Sequence, residues 1–64
     1  MDYPRLIRLD TVIEITTLSA PTIYRLMKTG KFPKRIMVAE RSARWCESEV
    51  LSYINNKFNS REEE

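Results

Sequence analysis

Histidine is absent from this 64-residue chain, cysteine and glycine occur once each, and proline three times. Each shortage removes something. With no imidazole and a single thiol, Cys46, an internal disulfide cannot form, and a zinc site, left to one thiolate and carboxylates, is not expected. Acid–base and nucleophilic catalysis lose their commonest groups, and no spaced carboxylate pair in a credible pocket replaces them. An enzyme is therefore not expected, nor a cofactor, a metal or a small-molecule ligand. Apolar runs are only a few residues long, far short of a membrane span, and the N-terminus lacks the basic-then-apolar order of a secretory leader. An intracellular protein without a membrane partner is expected.

Sparse punctuation, with no internal repeat and no low-complexity linker, points to one domain over residues 1–64, with its core at about 5–58 and an acidic tail at 59–64. A core of this size stabilises a fold by only roughly 3–5 kcal/mol.

Acid is nearly missing from one stretch. Between Arg25 and Arg44 stand Arg25, Lys28, Lys31, Lys34, Arg35, Arg41 and Arg44 against Glu40 alone, a local charge of +6 in a chain of net charge +2. The remaining four bases face eight acids, so the rest of the chain sums to −4. Surface lysines and arginines are ordinarily just solvated. Concentrated like this, they present a cationic face to something anionic, and a polymer of phosphates is the commonest such partner.

The local pattern distributes these charges. Tyr3-Pro4-Arg5-Leu6-Ile7-Arg8-Leu9 reads as extended, since Pro4 biases its predecessor away from helix. Asp10 is a candidate cap for a short helix over Thr11 to Thr16, although the β-branched Thr11, Val12, Ile13, Ile15 and Thr16 favour a strand by propensity. A second helix is expected over Ala20 to Thr29. Ser19 is its cap, Pro21 is tolerated in its first turn and Gly30 is its stop. Ile23, Leu26 and Met27 form its buried stripe, leaving Pro21, Tyr24, Arg25 and Lys28 on the opposite face.

After Phe32-Pro33 the period becomes two. Ile36 and Val38 are expected on one side and Met37 on the other. The tip is at Glu40-Arg41-Ser42 and the return runs through Ala43-Arg44-Trp45, a β-hairpin with Arg35, Arg41 and Arg44 on its outer surface. Trp45 belongs inside, with its indole N–H finding a partner. A last helix from about Glu47 to Phe58 places Val50, Leu51, Ile54 and Phe58 at core spacing, with Cys46 at the cap and Glu47 and Glu49 at the positive end of the dipole. Asn55, Asn56, Asn59 and Glu62-Glu63-Glu64 read as a frayed terminus and solvated tail. Such a tail could also compete with phosphate and trim nonspecific binding.

Helix, turn, helix, hairpin, helix is the order of a small winged helix-turn-helix, mainly α with a β-hairpin wing. Leu6-Ile7-Arg8-Leu9, Leu18-Ser19 followed by Thr22-Ile23-Tyr24-Arg25-Leu26, Gly30-Lys31-Phe32-Pro33, Arg41-Ser42-Ala43-Arg44-Trp45 and Glu47-Ser48-Glu49-Val50 closely resemble the AlpA family of phage and prophage regulators. The likeness runs from about Arg5 to Ile54. It implies a fold related to MerR-type winged helices and phage excisionases, in a cytoplasmic, nucleoid-associated protein of bacterial or phage origin. It also implies a DNA-binding regulator of prophage genes, including activation of an integrase gene. Thr22, Tyr24 and Arg25 match the family's recognition helix, and Arg41 and Arg44 its wing. The chain departs from the family pattern at Thr17 and at Ala39-Glu40, where glycine is common, and at Ala20, where a basic or polar residue is common.

Double-stranded DNA is thus the expected partner, met by Pro21, Thr22, Tyr24, Arg25, Lys28, Lys31, Lys34, Arg35, Arg41 and Arg44. Arg25 is the first choice for bidentate guanine contact, and Lys28 suits a phosphate. One such module covers only about 600–1,000 Å², so several copies on neighbouring sites, or a dimer, are expected. Two other functions use the same surface. One is an excisionase-like factor that bends DNA, and the other is an adaptor that docks an acidic protein.

Overall fold

The computed structural model describes residues 3–61, and the acidic end at Glu62 to Glu64 lies outside them. Three helices and three short strands follow in the order β1 (Leu6–Ile7), α1 (Leu9–Thr16), α2 (Ala20–Lys28), β2 (Ile36–Ala39), β3 (Ser42–Cys46) and α3 (Glu47–Ser60). The hairpin expected from the sequence is part of a three-stranded antiparallel sheet of order β1-β3-β2. The extended N-terminal segment supplies the third strand, pairing Leu6 with Cys46 and Ile7 with Trp45. The Glu47 amide donates to the Arg5 carbonyl at 2.8 Å, prolonging that pairing into the start of α3. The adjacent Arg5–Glu47 ion pair, at 3.4 Å, is largely solvated and contributes little.

α1 is a helix in spite of its β-branched residues, because Val12 and Thr16, four apart, both reach the interior. The buried Thr16 hydroxyl donates to the Val12 carbonyl at 2.8 Å and accepts from the Leu18 amide at 3.2 Å, so its burial leaves no polar atom stranded. The helix begins earlier than Asp10 suggested. Arg8 holds the cap position, and Asp10 lies in the first turn with its carboxylate accepting from the Thr11 amide at 3.0 Å. A carboxylate there still complements the helix dipole.

Residues 17–19 turn the chain into α2. Thr17 closes α1 in the left-handed region, φ 60°, and its amide donates to the Ile13 carbonyl at 2.7 Å. Ser19 caps α2 by position only: its hydroxyl hydrogen-bonds the Thr22 hydroxyl at 2.9 Å rather than a free amide. At the other end the Gly30 amide donates to Met27 and the Lys31 amide to Leu26, with Gly30 at φ +75°. That paired arrangement satisfies two orphan carbonyls and needs a left-handed residue where glycine stands.

The core is Ile7, Val12, Ile23, Phe32, Trp45 and Val50, with Leu9, Ile13, Ile15, Leu18, Leu26, Met27, Ala43 and Tyr53 packed around it. Trp45 is fully enclosed, as expected, but its indole N–H has no hydrogen-bond partner among the described residues. Instead its ring meets the Tyr24 ring edge to face at 6.3 Å.

Two patterns differ from expectation. In β2, Ile36 pairs with Arg44 and Met37 with Ala43, but Ala39 pairs with Ser42, so Val38 is an extra residue. This bulge breaks the period-two alternation, and all four strand residues are exposed. In α3, Val50 is buried and Ile54 half-buried, while Leu51 and Phe58 face solvent. Asn55, Asn56 and Asn59 stand within the helix, which runs on to Ser60, rather than in a frayed end.

Candidate nucleic-acid interface

The amphipathic spacing of α2 sends Ile23 into the core and turns Pro21, Tyr24, Arg25 and Lys28 outward. The Gly30 turn then brings the next segment back beside this exposed face. Lys34 and Arg35 join Tyr24, Met27 and Lys28 around an open groove of about 390 Å³. Three cations from two segments thus line one concavity whose floor is an aromatic ring and a thioether. The Arg35 guanidinium stands 5.6 Å from the centre of the Tyr24 ring, within cation–π range. Tyr24 in turn rests on Trp45. A chain of aromatic and cation–π contacts therefore runs from the core to a cation at the surface.

The other candidates are spread more widely. Arg25 is exposed on α2 but does not line the groove. Thr22 is half-buried, its hydroxyl engaged with Ser19. Lys31 lines a different hollow of about 400 Å³, with Phe32, Pro33, Glu49, Ser52, Tyr53 and Asn56. Arg41 occupies the hairpin turn at φ 64°, a left-handed position at the tip. Arg44 is half-buried and folds back, its Nη1 donating to the Ala43 carbonyl at 2.8 Å. Arg35 belongs with the α2 groove rather than with the hairpin's outer surface.

Sequence reasoning put Met27 wholly in the core and missed that it also floors the groove. It also missed the pairing of Tyr24 with Arg35, for which no spacing rule exists, because the two are joined only through the turn at Gly30. Cys46, at the start of α3, has its thiol held below the usual range by the Ser48 hydroxyl at 3.2 Å and then by the Glu49 amide. No cluster of metal-binding side chains occurs among the described residues, and no helix there is long and apolar enough to cross a membrane.

Three helices, the first two joined by a three-residue turn, with a small antiparallel sheet alongside, define a small domain of helix-turn-helix type. The family model for the prophage CP4-57 regulatory protein (AlpA) matches residues 5–58, and the chain belongs to that family of phage regulatory proteins. It is 30% identical over 57 residues to the uncharacterized protein ORF88 of Enterobacteria phage P4, a match covering 89% of this chain. The chain spans 65% of that relative's length. No solved structure matches it.

Proposed function

We propose that the chain is a sequence-specific DNA-binding regulator of prophage genes, an integrase gene among them, built as a winged helix-turn-helix of the MerR and excisionase kind. In this reading α2 lies in the major groove, and the β2–β3 hairpin follows the backbone and an adjacent minor groove. The observation that carries it is the convergence of Lys28, Lys34 and Arg35 on one groove beside the exposed face of α2. Membership of a phage regulatory family supports the regulatory role.

Each side chain then has a part. Arg25 reads a guanine edge through its two-donor fork. Pro21, Thr22 and Tyr24 meet the backbone or a thymine methyl. Lys28, Lys31, Lys34 and Arg35 neutralise phosphates, and Arg41 and Arg44 serve the wing, Arg44 by releasing its bond to Ala43. Five or six phosphate contacts correspond to a log–log salt slope of roughly −5. A single module supplies limited selectivity, so neighbouring sites are occupied together.

Footprinting over the chain's own gene and the nearest integrase gene tests this. Discrete protected sites are expected, with affinity falling steeply as salt rises. Unchanged oligonucleotide mobility in dilute buffer would overturn it. A promoter reporter run beside an in vitro excision assay separates control of transcription from an architectural role in recombination.

A further inference from the structure

One edge of the sheet, on the outer strand of the hairpin, is left unpaired by the fold. The strand order β1-β3-β2 leaves one side of Ile36–Ala39 without a neighbouring strand, and no backbone hydrogen bond from outside the sheet reaches it among the described residues. All four residues are apolar and exposed, Met37 at 52%. Open edges are ordinarily guarded by lysine, proline or a bulge, and here only the bulge at Val38 is present. Opposite charges flank the strand. Arg35 precedes it, and Glu40, the lone acid of the basic stretch, follows it and makes no ion pair among the described residues.

We propose that this edge pairs with the same edge of a second copy of the chain, antiparallel, about a two-fold axis between Met37 and Val38. In that register Ile36 faces Ala39 of the other copy, Met37 faces Val38, and Arg35, swung away from the Tyr24 ring, faces Glu40 at both ends. A parallel pairing would set like charges directly opposite each other, which is unfavourable. The antiparallel arrangement is isologous and closes after two copies. It gives Glu40 a partner, which DNA, being anionic, does not. The bulge, and the like charges of Lys34 and Arg41 one step further out, confine the contact to these few residues. So small a contact buries far less than the roughly 1,200 Å² of a stable complex, and the dimer is weak in free solution. If the DNA-binding reading also holds, adjacent sites raise the effective concentration, and the two-fold axis selects sites arranged as inverted repeats.

The test omits DNA, so its outcome is independent of whether DNA is bound. Sedimentation equilibrium of the whole chain up to millimolar concentration is run with amide NMR of the same samples. A monomer–dimer equilibrium is expected, with concentration-dependent shifts centred on Ile36–Ala39. Val38→Lys, at an exposed residue outside the β2–β3 register, is expected to weaken association at least tenfold. Glu40→Lys and Arg35→Glu each place like charges opposite one another and are expected to be monomeric alone. Mixed, the two variants restore complementary charge at both ends and are expected to associate, a gain that misfolding cannot produce. A wild-type chain that stays monomeric at millimolar concentration overturns the proposal. So does association that is unaffected by Val38→Lys and no stronger in the mixture than in either charge variant alone.

Discussion

α2 and α3 carry the same kind of apolar spacing and use it differently. In α2 Ile23, Leu26 and Met27 all turn toward the core, and the opposite face is left to Tyr24, Arg25 and Lys28. In α3 the analogous set splits: Val50 is fully buried, whereas Leu51 is 43% and Phe58 57% exposed. Tyr53, three residues after Val50, packs instead, its ring 4.8 Å from that of Phe32. A short helix closed by a left-handed glycine offers one apolar stripe. The 14 residues of α3 offer two, and Phe32 on the preceding segment decides which is covered. Spacing therefore defines the stripes, and the neighbouring segment chooses among them.

The most severe way to break this contrast is to cut into each stripe in turn. Trp45 and Ile23 are completely enclosed, and truncating a buried tryptophan costs about 3–5 kcal/mol, as much as the whole stability expected of so small a core. Trp45→Ala is expected to be unfolded by circular dichroism at room temperature, and Ile23→Ala to be close to it. Leu51→Ala and Phe58→Ala are expected to change the urea midpoint by no more than about 0.5 kcal/mol's worth of stability. A Phe58→Ala variant as unstable as Ile23→Ala would erase the distinction between the helices.

On the outer faces the contrast is one of charge. Under the proposed function, Arg25→Ala is expected to lose roughly 1–3 kcal/mol at a preferred site and much less on random DNA. Lys28→Ala is expected to weaken both equally and to reduce the salt slope by about 0.9. Lys57 on α3 lies over the Tyr53 ring at 5.6 Å, away from the basic groove, and Lys57→Ala is expected to leave both affinities unchanged. Competition gel shifts at two salt concentrations measure all three. Equal losses of specificity for Arg25→Ala and Lys28→Ala would remove the assigned division between reading and anchoring.

The stretch from Ser19 to Gly30 was legible in the sequence because its signals are local: a cap residue, a proline in the first turn, one stripe and one glycine. Trp45 as core and the order of elements were legible for the same reason. What was not legible depends on partners distant in sequence. The two-residue strand at Leu6–Ile7 exists only because β3 pairs with it, and the helical state of α1 only because Val12 and Thr16 find a core. Neither the bulge at Val38 nor the positive φ at Arg41 has a glycine to mark it. Of the candidate interface, the basic residues were countable, but their sorting into a groove set, a hairpin pair and the separate Lys31 required the fold.

The left-handed residues that end α1 and α2 sharpen the comparison at a smaller scale. Gly30 has φ +75° and open space around the position of a Cβ, so Gly30→Ala meets no clash and pays only the left-handed penalty, about 1 kcal/mol. Thr17, at φ 60°, already bears that penalty in a β-branched residue, and Thr17→Gly is expected to recover about 1 kcal/mol. Thermal melts of the two variants should move in opposite directions, because the left-handed geometry is the same and only the residue differs.

The smallest effect is expected at the start of α3, which lacks what α2 has at its end. Cys46 holds the cap position, but no side-chain capping bond meeting hydrogen-bond geometry forms there, and its sulfur is engaged with Ser48. Sulfur is a weak acceptor, while a serine hydroxyl at the same position accepts well from the amide three residues on, here Glu49. Cys46→Ser is nearly isosteric and keeps the backbone pairing with Leu6, so the change isolates the quality of the cap. A gain of about 0.5 kcal/mol is expected, read as a small rise in melting temperature with amide exchange slowed in the first turn of α3 and unaltered in α2. Protection rising in both helices alike would mean that they open as one unit, and the left-handed stop of α2 at Gly30 would no longer distinguish it.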